Sequence, residues 1–299
     1  MNYAVIDLGS NSIRMTVFAH DDGKTRKILN IKETVGLAGY VSKGVLGKDG
    51  VQRACDVVDS FRRTAAEFVD PANIRLFATA SLRNVKNREE ASLIIAEKTG
   101  LSPDILEGEE EAALGFAGVV PYLPADSGIL IDIGGASTEL VQFEDRKPVH
   151  LTSLPFGSLS LSVEFVSETL PRSGEMNKLK AGIQKRLARV EWAKGLKCPE
   201  MVGIGGTARA ALKLSRAQFG LPPELKQVDA VKVKKLAKLV EGMEDEFLQT
   251  VHRVVPERLH TITPGITLLW QAMKAFDVET LTVCKFGVRD GYLSSRVLK

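Results

Sequence analysis

The strongest constraint on the fold of this chain is a motif that the sequence contains twice. The first copy, "AVIDLGSNSIRMTV", begins at residue 4, and the second, "ILIDIGGASTELVQF", begins at residue 129. Asp7 and Asp132 stand at the same place in the two copies, 125 positions apart. Each copy has an apolar run, a turn of glycine and small polar residues, and a second apolar run, which predicts two strands joined by a tight turn. The duplication predicts two related halves.

Helical and strand-like segments alternate after each copy. In the first half the spacing of apolar residues predicts a strand over 74–79 and helices over 51–69, 88–100 and 109–119. In the second half it predicts strands over 129–133 and 138–143, a strand, turn and helix over 201–214, and helices over about 175–195 and 229–242. This order predicts an α/β fold with one βββαβα-type plan per half. The proline-broken stretch 121–128 predicts the boundary between domains 1–122 and 123–299.

Composition is typical of a folded protein in water. The 299 residues, 44% hydrophobic and 26% charged, suit two domains of ordinary size and argue against general disorder. No membrane-length apolar run or signal-like N-terminus is evident, so we expect a cytoplasmic protein with no membrane partner. Three cysteines without a CxxC pair, Cys55, Cys198 and Cys284, are expected to be buried thiols.

Basic residues cluster in the second half, although the net charge is only +3. The cluster consists of Lys178, Lys180, Lys185, Arg186, Arg189, Lys194 and Lys197. A solvated helix face is the usual explanation of such a run, and a track for a polyanion is the alternative. We expect no specific nucleic-acid partner, and a homodimer is possible.

Three glycine-containing turns are candidates for binding phosphate. Glycine allows positive φ angles and close approach, so such a turn can direct several backbone N–H groups at one anion. Each turn alone is also compatible with a simple hairpin or helix start. The candidate phosphate-binding residues are Gly9, Ser10, Asn11 and Ser12, then Gly134, Gly135, Ala136, Ser137 and Thr138, then Gly205, Gly206 and Thr207.

An aspartate precedes each of the first two turns. A carboxylate at the end of an apolar strand is costly unless something pairs with it. Asp7 and Asp132 could each cap their own turn. Because both stand beside a candidate phosphate site, we favour the interpretation that they hold magnesium and its water.

Six motifs together carry a family resemblance. Turns such as "IDLGSNS", "IDIGGASTE" and "GIGGT" look like the phosphate loops of the actin, sugar-kinase and heat-shock-chaperone ATPase superfamily. Within it, the chain resembles the exopolyphosphatase / guanosine pentaphosphate phosphohydrolase family. The motifs are "AVIDLGSNSIRM", "ATASLRN", "EGEEEAALGFAGV", "IDIGGASTELV", "GIGGTARA" and "FGVRDGYL", spread from residue 4 to 293.

The resemblance implies two ribonuclease-H-like domains with an interdomain cleft and hydrolysis of a terminal phosphoanhydride with Mg²⁺. It implies that Glu111 activates water, that Glu139 serves metal and water, and that Arg83 contacts phosphate. The implied substrate is inorganic polyphosphate or guanosine pentaphosphate. Without the resemblance, Glu111 would be one of several acids that stabilise a helix start. Glu139 could be an edge-strand surface acid, although its place directly after the second turn argues against this, and Arg83 would equally be a solvated loop arginine.

The sequence departs from the family pattern at two positions. Ala136 replaces a glycine in the second turn, and Ala113 stands where an arginine is common after the "EEA" stretch. Both departures bear on affinity or substrate range more than on the type of reaction.

Two other functions remain open at this stage. The same turns would suit a sensor that binds a phosphorylated nucleotide with little turnover, and a kinase follows from fold analogy alone. A Walker-type phosphate loop is excluded, because "GVLGKDG" lacks the spacing and the hydroxyl. The four scattered histidines give no nucleophile or di-histidine metal site.

Overall fold

Two mixed β-sheets, each beginning with one copy of the repeated motif, organise the chain. The computed structural model describes residues 1–298. Unit 1 contains Met1–Glu111 and the C-terminal segment that starts at Tyr292, and unit 2 contains Ala112–Gly291. The units therefore differ from the expected ranges 1–122 and 123–299, because the division falls inside a helix at residue 111 and the chain returns to unit 1 at its end.

Unit 1 has a five-stranded sheet in the order β3-β2-β1-β6-β7. Strands β1, β2 and β3 are antiparallel neighbours, whereas β6 and β7 run parallel to β1. The strands of this sheet are β1 (Asn2–Leu8), β2 (Ser12–Asp21), β3 (Lys24–Thr34), β6 (Ile74–Ala78) and β7 (Asp104–Ile105). Two further short strands of unit 1, β4 (Val41–Ser42) and β5 (Val45–Leu46), pair with each other in a separate sheet. The helices of unit 1 are α1 (Lys48–Ala66), α2 (Ala80–Arg83) and α3 (Arg88–Thr99).

Helix α1 packs its apolar face against this sheet. Val51, Cys55, Val58 and Phe61 recur at helical spacing, and all four are buried in one cluster with the sheet residues. Helix α3 ends at Gly100, whose φ of 70° provides the left-handed conformation that commonly terminates a helix. The hairpin predicted at the start of the chain is confirmed as β1 and β2. The helices predicted over 51–69 and 88–100 are confirmed as α1 and α3, and the strand predicted over 74–79 is confirmed as β6.

Unit 2 has a six-stranded sheet in the order β10-β9-β8-β11-β13-β12. Helix α4 (Gly108–Ala117) crosses from unit 1 into unit 2. The strands of unit 2 are β8 (Gly128–Ile133), β9 (Thr138–Glu144), β10 (Lys147–Leu154), β11 (Glu200–Ile204), β12 (Gln227–Asp229) and β13 (Thr280–Val283). Its further helices are α5 (Ser158–Phe165), α6 (Ser173–Leu187), α7 (Gly205–Phe219), α8 (Ala230–Gly242), α9 (Asp245–Val254), α10 (Leu259–Ala275) and α11 (Val288–Tyr292).

The predicted helix over about 175–195 is shorter than expected. Helix α6 ends at Leu187, and a separate short 3-10 helix covers Glu191–Ala193. Val190 lies between them with extended backbone and is buried in the core of unit 2. Burial of this β-branched side chain explains why the chain leaves the helix here although its polar residues suit a longer one.

The two sheets repeat the same strand pattern with one chemical difference. In both, a three-stranded antiparallel meander is extended by parallel strands, β6 beside β1 and β11 beside β8. In register, Asp7 lies opposite Arg14 across β1 and β2, whereas Asp132 lies opposite Glu139 across β8 and β9. Directly opposed residues share a face of the sheet. The second copy therefore brings two acids together where the first brings an acid and a base.

No disulfide forms among the three cysteines of the described residues. Cys55 and Cys284 are buried and Cys198 is half-buried. Burial raises the pKa of the Cys55 and Cys198 thiols. Within residues 1–298, no helix combines the length and the apolar character that a membrane span needs.

A close approach of backbones in unit 2 predicts the effect of one glycine substitution. A Cβ atom at Gly118 would lie 2.2 Å from the carbonyl oxygen of Gly287 and 2.8 Å from the nitrogen of Gly291. Backbone cannot yield cheaply, so Gly118→Ala should lower the free energy of unfolding by about 1–3 kcal/mol in urea titration. The control is Gly242→Ala, where no other atom lies within 4 Å of the added methyl. Equal stability of the two variants would contradict this packing.

Candidate active site

The first glycine turn directs backbone N–H groups away from the segment that follows β3. The carbonyl of Asn11 accepts hydrogen bonds from the N–H groups of Val35 and Gly36, both at 3.0 Å. In a trans peptide the next N–H points opposite to the carbonyl, so the N–H of Ser12 points away from residues 35 and 36. A Cβ atom at Gly9 would lie 2.9 Å from the oxygen of Ser12. The turn therefore needs glycine at its start.

Asn11 carries a further sign of a binding site. Its side-chain Oδ1 is buried and accepts no hydrogen bond from any residue that the structure describes. Buried polar atoms in proteins nearly always have a partner, in the protein, in water or in a ligand. Asn11 is thus the member of the first turn whose side chain is a candidate to contact a bound group.

Arg83 and Glu111 form a buried ion pair in unit 1. The Nη1 of Arg83 donates to Glu111 Oε2 at 2.8 Å and to the carbonyl oxygen of Leu106 at 2.8 Å. Each of the two charged side chains is 9% exposed. The hydroxyl of Ser81 donates to the carbonyl of Leu8 at the end of β1, which ties α2 to the first turn. The structure thus brings together two residues to which the family resemblance gave separate roles.

The ion pair restricts the carboxylate of Glu111. A charge-assisted hydrogen bond to Oε2 sets the direction of the carboxyl group, and the N–H of Glu111 is held by the carbonyl of Glu107 at 2.9 Å. Arg83 is therefore a positioning residue for Glu111 in this structure. Its predicted contact with phosphate stays a prediction.

The carbonyl groups of the second glycine turn accept hydrogen bonds from the start of α5. The carbonyl of Gly134 accepts from the N–H of Ser158 at 2.9 Å, and that of Gly135 accepts from the N–H groups of Leu159 and Ser160. The N–H groups of Gly135 and Ala136 then point away from α5, because each lies opposite the carbonyl of its own peptide unit. Ala136, which stands where a glycine was expected, keeps this orientation.

Two threonines of the predicted site have hydroxyls that are engaged inside unit 2. Thr138 Oγ1 donates to the carbonyl of Phe156 at 2.7 Å, and Thr207 Oγ1 donates to the carbonyl of Ile133 at 2.9 Å. Both residues are buried. Their hydroxyls support the turns, so backbone N–H groups are the better candidates for contacts with phosphate.

Three side chains form a polar row across the second sheet. Glu139 lies in register with Asp132 on β8 and with Ser153 on β10. The hydroxyl of Ser153 donates to Glu139 Oε1 at 2.8 Å, and Glu139 is 2% exposed. The sequence alone left open a surface position for this acid, and its burial excludes that interpretation.

Two charged side chains lie directly against the third glycine turn. Gly205 has a φ of 73°, and a Cβ atom there would lie 1.9 Å from Asp132 Oδ1. A Cβ atom at Gly206 would lie 1.7 Å from Arg258 Nη2. The absence of side chains on the turn therefore leaves room for both a carboxylate and a guanidinium beside the start of α7.

Three arginines outside the predicted site residues, Arg209, Arg258 and Arg289, interact through their charges in unit 2. Burial lowers the pKa of Arg209 to about 10, and the neighbouring charges of Arg289 and Arg258 act in the same direction, against the opposing effect of Asp132 and Asp290. The like charges of Arg289 and Arg258 are unfavourable for Arg209, and the anions Asp132 and Asp290 offset them in part. We name Arg209, Arg258 and Arg289 the arginine cluster.

A sequence signal for part of the cluster was present. Arg209 lies in the "GIGGTARA" motif and Arg289 in "FGVRDGYL". The sequence uses of these motifs are the glycine turn and the family resemblance, and neither assigns a role to the arginines. Arg258 comes from the start of α10, far from both motifs along the chain. Nothing in the local pattern around Arg258 separates it from an ordinary surface arginine.

Magnesium was predicted at Asp7, Asp132 and Glu139. Within residues 1–298 no group of three or more His, Cys, Asp or Glu side chains has the geometry of a metal site. Magnesium commonly takes only one or two carboxylates and completes its shell with water and substrate phosphate. The opposed Asp132 and Glu139 fit that ligand set, and the register of Asp7 with Arg14 fits it less well.

The basic cluster of the second half is partly neutralised. Lys180 contacts Glu241, Arg186 contacts Glu164, Lys194 contacts Glu191, and Lys197 contacts Asp277. Lys178, Lys185 and Arg189 are exposed. The solvated face accounts for the paired residues, and the polyanion track stays a prediction.

Comparison with protein families decides the affiliation of the chain. The model of the family described as "Ppx/GppA phosphatase family" matches residues 16–299. The chain belongs to the Ppx/GppA phosphatase family. The resemblance that the six motifs predicted is confirmed.

Curated relatives in the Ppx/GppA phosphatase family are longer than this chain. The chain is 30% identical over 299 residues to a guanosine-5'-triphosphate,3'-diphosphate pyrophosphatase of Vibrio cholerae, which covers 99% of this chain and 59% of that protein. A protein of the same name from Vibrio vulnificus is 29% identical over 293 residues, covering 97% of this chain and 58% of its own length. The chain thus spans about three fifths of the curated relatives it matches.

Solved structures of Ppx/GppA proteins share the fold. The Aquifex aeolicus PPX-GPPA enzyme is 26% identical with a TM-score of 0.78, covering 99% of both chains. An exopolyphosphatase from Cytophaga hutchinsonii is 20% identical with a TM-score of 0.89, covering 99% of this chain and 97% of that one. The predicted α/β fold of the actin-like ATPase superfamily is thereby confirmed.

Proposed function

We propose that the chain hydrolyses the terminal phosphoanhydride of inorganic polyphosphate or guanosine pentaphosphate by attack of water. Water forms a new P–O bond to the terminal phosphorus, and the bridging P–O bond breaks. The products are orthophosphate and a substrate that is one phosphate shorter. The proton lost by water passes to a carboxylate.

The buried Arg83–Glu111 pair is the observation that carries this proposal. Phosphoryl transfer needs an oriented carboxylate to position or deprotonate the nucleophile. Glu111 has its direction set by Arg83 at 2.8 Å and is almost fully buried, unlike its exposed neighbours Glu109 and Glu110. A pure sensor has no need to hold one acid of that group in this way. We assign to Glu111 the role of general base.

Positive and N–H groups are assigned to the phosphates. In unit 2 these are the N–H groups of Gly135 and Ala136, the start of α7 and the arginine cluster. In unit 1 they are the backbone N–H groups of the turn over residues 9–12. Hydrogen-bond donors and cations of this kind stabilise the oxygens of a transferring phosphoryl group. Family membership supports a phosphate-bearing substrate, and the Vibrio and Cytophaga names support the two substrate classes.

Asp132 and Glu139 are the residues that would hold magnesium. When bound, the ion would neutralise charge that develops on phosphate oxygens. Ser153 donates to Glu139 Oε1 at 2.8 Å, which orients this carboxylate. Asp7 remains a weaker candidate in unit 1, because Arg14 lies opposite it.

The experiment compares orthophosphate release from long-chain polyphosphate, short-chain polyphosphate and guanosine pentaphosphate, each with magnesium and with excess chelator. We expect release from at least one substrate and its loss with chelator. Binding of guanosine pentaphosphate without release from any substrate would contradict the proposal and favour the sensor.

The third glycine turn provides a further prediction about substrate affinity. Gly206→Ala should displace the flexible end of Arg258, whose Nη2 lies 1.7 Å from the position of the new Cβ. Loss of one charged hydrogen bond to phosphate should raise KM about tenfold, equivalent to about 1.4 kcal/mol. Because a flexible side chain can move, the thermal midpoint should change little.

A double variant provides the control for this prediction. Arg258→Gln should raise KM by a similar factor, and Gly206→Ala should add nothing in that background, since both act through one guanidinium. Additive effects of the two substitutions would contradict a shared action through Arg258.

A further inference from the structure

The C-terminal segment is fastened to unit 1 by an aromatic side chain. The ring of Tyr292 stacks on that of Phe77 with the ring centroids 4.8 Å apart, and the Tyr292 hydroxyl donates to Asp104 Oδ2 at 3.0 Å. Phe77 and Asp104 are register partners on β6 and β7. Burial, and next the charge of Asp104, raise the pKa of Tyr292, so its hydroxyl stays a donor.

In the π-helical turn that follows Tyr292, the side chain of Arg296 contacts α4, the helix that carries Glu111. Residues Leu293–Val297 form this turn, a rare conformation that often marks functional sites. Arg296 Nη2 donates to Glu110 Oε1 at 2.8 Å, and Arg296 Nη1 lies 3.8 Å from Asp104 Oδ2. Tyr292 and Arg296 thus converge on Asp104, and we name these two residues the C-terminal clasp.

The contacts continue from the clasp to the proposed base. The second oxygen of Glu110, Oε2, accepts from the N–H of Glu107 at 2.9 Å. The carbonyl of Glu107 in turn accepts from the N–H of Glu111 at 2.9 Å. Arg296 therefore contacts the carboxylate of Glu110, which also accepts a hydrogen bond from the backbone at the start of α4. Glu111 is the next residue of the same turn.

We propose that Arg296 and Tyr292 are positioning residues for Glu111, acting on it from the opposite end of the chain. This inference rests on the proposed function. Arg83 fixes the carboxylate of Glu111 directly, and the clasp fixes the backbone turn from which that side chain projects. Small displacements of a catalytic group lower turnover without weakening substrate binding. The clasp is therefore expected to affect kcat rather than KM.

The test uses the full chain and measures kcat and KM for orthophosphate release. We expect Arg296→Gln to lower kcat about fivefold to tenfold with KM unchanged, and Arg296→Lys to restore most of the loss. Tyr292→Phe, which keeps the ring stack and removes only the hydroxyl, should lower kcat less. Thermal melting checks that each variant is folded.

A matched control is available in the same unit. Arg63 forms an exposed ion pair with Asp59 on α1 and contacts neither α4 nor the clasp in any described interaction. Arg63→Gln should leave kcat and KM unchanged. An equal fall of kcat in Arg63→Gln and Arg296→Gln would overturn a specific role for the clasp.

The Glu111→Gln background separates this inference from the proposed function. If Arg296 acts through Glu111, Arg296→Gln should not lower the residual rate of Glu111→Gln any further. An equal further loss in that background, or unchanged kcat in Arg296→Gln alone, would overturn the clasp and leave the base assignment intact. Full activity of Glu111→Gln would overturn the base assignment, and the clasp with it.

Discussion

Glu111→Gln is expected to lower the turnover of orthophosphate release by about 10²–10⁴-fold, the usual cost of losing a general base. Glutamine has the shape of glutamate, and its carbonyl oxygen can still accept the hydrogen bond from Arg83. The variant should therefore still fold, with a lower free energy of unfolding because the buried Arg83 loses the charge of Glu111, and should bind substrate with an affinity close to that of the original protein. Initial rates at saturating substrate and equilibrium binding of the same substrate check the two halves of this prediction.

The matched control is Glu109→Gln. Glu109 lies in the same first turn of α4 but is exposed. Its loss removes the same charge from the same helix end, so any general effect of helix-end charge appears in both variants. Equal losses of turnover in Glu109→Gln and Glu111→Gln would mean that helix-end charge, and not a base, was removed.

Arg83→Met is expected to lower the free energy of unfolding by about 3 kcal/mol. Removing one partner of a buried ion pair weakens the compensation of the charge that stays buried, which is among the more costly single changes. The substitution also leaves the carbonyl of Leu106 without the hydrogen bond that Arg83 Nη1 donates. Urea unfolding, followed by a probe in unit 1, measures the change.

The partner substitution distinguishes ion-pair loss from a packing defect. In the double variant Arg83→Met/Glu111→Leu both buried charges are gone, so most of the lost stability should return even though activity does not. Arg63→Met, which breaks an exposed ion pair on α1, should cost far less stability than Arg83→Met. A double variant no more stable than Arg83→Met would contradict the ion-pair explanation.

The sequence predicted most of the fold because the repeated motif combines two independent signals. Apolar runs identified β1, β2, β8 and β9, and the glycine turns indicated where each strand pair reverses. The duplication then extended the plan to both sheets. Helices α2, α5, α9, α10 and α11 were not predicted. The largest of them, α10, is buried along most of its length and contains Pro264, a residue that in a sequence usually indicates the end of a helix.

The residues of the candidate site could be predicted only where they lie in a motif of the family and also have side chains suited to phosphoryl transfer. Glu111, Glu139 and Arg83 came from the family resemblance, since each residue alone also suits a surface position. The pairing of Arg83 with Glu111, and the register of Glu139 with Asp132, depend on tertiary contacts that no local pattern encodes. Arg258 and Arg296 are the clearest omissions, because each acts on residues more than fifty positions away along the chain.

The measurement that tests the central claim most directly is hydrolysis in water enriched in heavy oxygen, followed by mass analysis of both products. Attack of water on the terminal phosphorus predicts one heavy oxygen atom in each released orthophosphate and none in the shortened substrate, with the label almost absent from Glu111→Gln reactions run for the same time. Label in the shortened substrate, or labelled orthophosphate formed at the same rate by Glu111→Gln, would contradict the account.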